Sequence, residues 1–126
     1  MKESLKHFFA PEVLEVPTTE RCIKQVEELL GINFPAEYKE FMLETNGVEG
    51  GIGENSYVAI WHIEEIIDLN NEYDVNKYTP GLLYFASDGG GTAFAFDIRT
   101  EEMPIVSIPF DSIHIEDAKV CGYTVT

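Results

Sequence analysis

Positive charge is what this 126-residue chain has least of: 8 Lys+Arg stand against 23 Asp+Glu, a formal net charge of −15 at pH 7. Such a surface repels nucleic acid and anionic membranes and attracts cations and basic proteins. No direct contact with nucleic acid is therefore expected. Cysteine is scarce as well. Cys22 and Cys121 are too few for a disulfide framework, and no C-x-x-C supplies a zinc or redox site. Idle thiols in a reducing cytosol fit them best. Long apolar runs are missing: no window approaches the ~20 apolar residues of a membrane span. The opening MKESLKHFFAPEV lacks the apolar stretch of a signal peptide. The chain reads as cytoplasmic, with no membrane contact. His7, His62 and His114 have no ligand spacing between them, so neither a metal nor a cofactor is expected.

What is there describes one foldable domain, with 44% hydrophobic residues. Residues 1–17 form a lead-in closed by Pro17, and the domain is expected over 18–126. Thr18 and Thr19 can cap a helix in which Ile23, Val26 and Leu30 recur at helical spacing, and Gly31 ends it. Pro35 suits the first turn of a second helix, with Tyr38, Phe41 and Met42 on one face. Asn46-Gly47 stops that helix. GVEGGIGENS then reads as a loop, Tyr57 to Trp61 as a strand, and Ile63, Ile66 and Ile67 as a short third helix. Later segments change character. Leu82 to Ala86 is a short apolar strand. Thr92 to Ile98 alternates, with Phe94, Phe96 and Ile98 on one face and Ala93, Ala95 and Asp97 on the other. Ile105 to Ile108 offers another strand, and Ile113, Ile115 and Val120 to Val125 offer more. Helices first and strands later predict an α+β fold with helices packed on a mainly antiparallel, twisted sheet.

Ser87-Asp88-Gly89-Gly90-Gly91 invites comparison with a phosphate loop. That chemistry needs glycines between a strand and a helix, usually with a lysine. Here strands flank the glycines, no Lys or Arg lies between Lys77 and Arg99, and Asp88 would oppose an anion. Gly89, Gly90 and Gly91 are expected to turn a hairpin by taking positive φ angles.

These pieces resemble the SUKH superfamily of yeast cell-wall regulators and bacterial immunity proteins. The resemblance is carried, in order, by FPAEYKEFMLETNGVEGG, YVAIWHIEEI and LNNEYDVNKYTPGLLYFASDGGGTAFAFDI. Phe34, Val48 and Thr92 depart from that pattern. His62 stands where a helix-capping serine is usual, which leaves Glu65 without a capping-box partner. The chain stops at Thr126, where similar proteins continue into one more helix, so a domain without that helix is expected. The resemblance implies binding rather than catalysis, with no catalytic residue to transfer: an immunity protein that neutralises a toxin, or a regulatory scaffold. It implies that Gly47 and the later glycines serve the fold.

Charge placement adds an independent argument. Residues 1–39 hold 7 acids and 5 bases, a net of −2; residues 40–126 hold 16 and 3, a net of −13. From Glu40 to Asn76 there are nine acids and no Lys or Arg. Glu64, Asp68 and Glu72 are spaced i,i+4 on the expected third helix, away from its isoleucines. Like charges so spaced destabilise a helix by roughly 0.2–0.5 kcal/mol per pair, the more so near its negative C-terminal end. Such a ridge points to a basic partner. Glu49, Glu54, Glu64, Asp68, Glu72 and Asp74 are the expected contacts, and a toxin with a basic, nuclease-type cleft is the expected partner. The reading from another class is a small acidic hydrolase, for which Asp88 and Asp97 would have to converge. His114-x-Glu116 lacks the Pro-Cys-x-x-Cys that deaminase chemistry requires.

Overall fold

The computed structural model describes residues 16–52, 56–112 and 114–122. Two helices come first, each bounded by local chemistry. Helix α1, Glu20–Leu30, starts at Thr19, whose hydroxyl accepts the Cys22 N–H at 3.2 Å. It ends at Gly31 in the left-handed conformation, with the Gly31 N–H returning to the Glu27 carbonyl. Helix α2, Ala36–Glu44, follows Pro35 and buries Tyr38, Phe41 and Met42. Glu27 ties the two together by accepting the Phe34 N–H at 2.7 Å and facing Lys39 Nζ at 3.7 Å.

Six strands form one antiparallel sheet in chain order: β1 (Val48–Ile52), β2 (Ser56–Ile60), β3 (Leu82–Ser87), β4 (Thr92–Asp97), β5 (Ile105–Pro109) and β6 (Lys119–Gly122). The first of these corrects the sequence reading. Within the stretch expected as a loop, Val48–Ile52 is strand β1, in register with β2 from Val48↔Ile60 to Ile52↔Ser56. Gly50 and Gly51 are weak strand formers, and backbone pairing with β2 overrides that preference. The third helix also differs. A 3-10 turn, Ile63–Glu65, leads into α3, Ile66–Glu72, and a further short helix, α4, spans Val75–Tyr78. Ile115, expected in a strand, lies in a 3-10 turn, Ile115–Asp117, ahead of β6. The expectations for Ile113, for residues 123–125 and for most of the lead-in lie outside the described residues.

The predicted alternation along β4 holds, and both faces are covered there. One face meets α1 and α2 through Leu83, Phe85 and Phe96. The Phe85 and Phe96 rings stack at 4.2 Å, and Tyr38 meets them edge-on at 5.6 and 5.2 Å. Burial of each ring contributes roughly 1.5–3 kcal/mol, so this cluster fastens α2 to the hairpin. The other face carries Tyr84, Ala93, Ala95, Val106 and Ile108 against Val75 of α4, with Trp61 and Phe110 packed at its border.

Candidate functional site

In chain order, the acidic candidates run from the β1 edge strand through α3 to the start of α4. Glu49 on β1 is exposed and accepts a hydrogen bond from the Tyr57 hydroxyl. Glu64, Asp68, Glu72 and Asp74 are all exposed. Glu54 lies outside the described residues.

Two features change the expected ridge. Glu64 sits in the 3-10 turn rather than on the α-helix, and its carboxylate accepts from Asn46 Nδ2 at 2.7 Å. The same Asn46 side chain accepts the Ile63 N–H through Oδ1 at 2.9 Å. Helix α2 ends at Glu44 with Thr45 as its C-cap, so Asn46, expected to stop that helix, instead caps the next helical turn from across the fold, a task His62 does not perform. Moreover, α3 begins at Ile66, which places Asp68 in its first turn. A carboxylate is favoured there by the helix dipole, so only Glu72 stands at the disfavoured end. Asp74 adopts φ 52°, a left-handed conformation that aspartate tolerates better than most residues, and its carbonyl accepts the Lys77 and Tyr78 N–H groups that open α4.

The structure places Glu49 and Glu65 on the walls of one groove; the sequence had named Glu65 only for helix capping. Both line this groove, of about 160 Å³, with Trp61 and His62, and His62 Nδ1 lies 3.4 Å from Glu65 Oε1. The i,i+3 spacing of His62 and Glu65 was a local signal for this pair; that it shares a groove with Glu49 depends on β1 pairing with β2. Beside the groove a file of aromatic rings runs over the sheet. Trp61 and Tyr73 lie near-parallel at 6.3 Å, Tyr73 meets Phe110 at 4.8 Å, and Phe110 meets Tyr84 at 5.9 Å. Tyr84 is core, whereas Tyr73 is 44% exposed.

Ser87–Gly91 does turn the chain between β3 and β4, by a different division of labour from the one expected. Only Gly89 of the three glycines has a positive φ, 81°. A Cβ there would also collide with the Tyr57 ring, 2.6 Å from Cε1. Asp88 supplies the rest: its Oδ1 accepts the Gly90 N–H at 2.8 Å and the Thr92 N–H at 3.2 Å. The Gly90 bond in particular holds the Asp88 carboxyl below its ordinary range. Asp97 stands at the opposite end of β4, ~17 Å away at the usual rise per residue. There Arg99 grips it with two bonds, Nε to Oδ1 at 2.9 Å and a terminal guanidinium nitrogen to Oδ2 at 2.8 Å. That grip lowers the Asp97 pKa. The two carboxylates do not converge. Among the described residues, no three His, Cys, Asp or Glu side chains are grouped to hold a metal ion.

The sequence model of the SMI1 / KNR4 family (SUKH-1) matches residues 17–120. The chain belongs to this family. A Bacillus subtilis (strain 168) protein named "Uncharacterized protein YnaB" is 38% identical over 58 residues, a stretch covering 46% of this chain and 38% of that protein. Membership supports an immunity or regulatory module of the SUKH superfamily, which is generally non-catalytic. The structure gives physical roles to the motifs that carry the SUKH resemblance. Asn46 of Asn-Gly is the remote cap just described. Asn70, which opens Asn-x-x-Tyr, aligns its amide with one backbone residue of β3: Nδ2 donates to the Tyr84 carbonyl at 2.9 Å, and Oδ1 accepts the Tyr84 N–H at 2.9 Å. Gly47, at φ 85°, packs against the Trp61 backbone where a Cβ would lie 2.9 Å from the carbonyl carbon. Asn46, Gly47 and Asn70 thus build the scaffold, whereas Trp61 of YVAIWHIEEI and Tyr73 of Asn-x-x-Tyr supply rings to the aromatic file. No helix among the described residues is long and apolar enough to cross a membrane.

Proposed function

We propose that this SUKH-1 chain is a non-catalytic, cytoplasmic immunity protein that neutralises a toxin with a basic, nuclease-type surface. One observation carries the reading: Glu49, Glu64, Asp68, Glu72 and Asp74 are all solvent-exposed along a segment, 40–76, that contains no Lys or Arg. A nuclease cleft must gather Lys and Arg around phosphates. An acidic body that enters the cleft is drawn in from a distance and excludes the substrate. Neutralisation then needs no bond to be made or broken. The arrangement of Asp88 and Asp97 also favours binding over hydrolysis, since each is committed to its own local partners at opposite ends of β4.

Co-expression with the toxin encoded beside its gene tests the proposal. Cells carrying both proteins should survive where the toxin alone kills. Equal killing with and without this chain refutes the antidote role for that pair.

A further inference from the structure

The acidic residues explain attraction but not which basic side chain they prefer. We propose that the aromatic file Trp61–Tyr73–Phe110 is the docking shelf for an arginine-bearing segment of the partner, a refinement that rests on the basic-partner reading above. Tyr73 is the middle ring, within 6.3 Å of Trp61 and 4.8 Å of Phe110, and it remains 44% exposed despite those two contacts. Large aromatic rings left partly open at a surface are the usual anchors of protein interfaces.

The surroundings decide what such an anchor accepts. Exposed carboxylates lie on both sides of the rings in the chain: Glu72 and Asp74 flank Tyr73, and Asp111 follows Phe110. Trp61 shares its groove with Glu49 and Glu65. The base on this segment, Lys77, has its ammonium 5.1 Å from the centre of the neighbouring Tyr78 ring. A purely apolar occupant would strip water from these carboxylates without replacing it. A second copy of this chain would bring two bodies of net charge −15 together through acid-rimmed faces. A guanidinium meets both demands at once, since its flat face stacks on an aromatic ring and its edge bonds carboxylates two at a time. An ammonium satisfies only the charge.

Trp61 is the only tryptophan in the sequence, so its fluorescence reports on this shelf alone. The full chain is titrated with an acetylated peptide alternating arginine and glycine, and with the lysine counterpart of equal length. The arginine peptide is expected to perturb Trp61 emission and to bind about two- to fivefold more tightly than the lysine peptide. Tyr73→Ala should erase that difference, and Tyr73→Phe, which keeps the ring, should restore it. Thermal melting of each variant checks that an exposed ring was removed without unfolding. Equal binding of both peptides, unchanged in Tyr73→Ala, overturns the shelf and leaves the basic-partner reading standing. Binding of neither peptide overturns that reading and the shelf with it.

Discussion

Two single residues show how closely this fold depends on where polar atoms find partners. The Tyr38 ring is fully buried against Phe34, Phe85 and Phe96, and among the described residues its hydroxyl has no hydrogen-bond partner. Burial pushes its phenol pKa far above the ordinary value, and the charge of Glu64 adds to the rise. An unpaired buried hydroxyl is a net loss, so Tyr38→Phe should stabilise the protein by about 1 kcal/mol, read as a higher urea midpoint. The pH dependence has a definite sign. Folding keeps the phenol protonated, so its contribution is complete below the ordinary tyrosine value near ~10 and declines as pH rises beyond it. Tyr38→Phe should remove that share of the alkaline loss. Asn70 is the opposite situation, because every bond its amide makes answers a backbone group. It also donates to the Ile66 carbonyl at 2.7 Å, so it joins α3 to β3 where the β3–β4 register shifts between Tyr84 and Ala86. Asn70→Ala should lower stability by about 2–3 kcal/mol, since it strands the Tyr84 N–H and C=O together. An unchanged urea midpoint would show that solvent satisfies those groups instead.

At the scale of elements, the β3–β4 turn separates glycines that the sequence presents as equivalent. Gly89→Ala should destabilise by about 2 kcal/mol or more, from the left-handed backbone and the collision with Tyr57. Gly91 faces open space and has no positive φ, so Gly91→Ala should change stability by no more than ~0.5 kcal/mol. Thermal melts of the two variants side by side check the contrast. The same distinction governs what could be read in advance. The ends of α1 were legible because Thr19 and Gly31 act on residues three and four positions away. The faces of β4 were legible because alternation is a property of the strand itself. Strand β1 was not, because its glycines pair only once β2 is alongside. Nor was the start of α3, since its preceding turn is capped by Asn46, 17 residues from Ile63. The exposure of Asp68 and Glu72 was legible from their helical spacing away from the isoleucines. The groove that Glu49 and Glu65 both line, and the meeting of Tyr73 with Phe110, required the finished sheet.

For the whole molecule, charge is the property that acts before contact. The structure weakens one argument for the acidic ridge, since Asp68 sits where a helix welcomes a carboxylate. What stands is the distribution, a net of −13 carried by residues 40–126. A field of that sign steers a basic partner, and steering shows in the association rate more than in the lifetime of the complex. The double reversal Asp68→Lys with Glu72→Lys raises the net charge by four, from −15 to −11, on one exposed helix. It should slow association with the toxin's nuclease domain about tenfold at low salt. The gap between wild type and variant should narrow as salt shortens the screening length to below ~8 Å. Stopped-flow fluorescence from Trp61 measures both. A lysine in the first turn of α3 opposes the helix dipole by ~0.3–1 kcal/mol, so melting curves must show that both proteins are folded at the assay temperature. Equal association rates at low salt would mean that the negative surface keeps the protein soluble and plays no part in finding its partner.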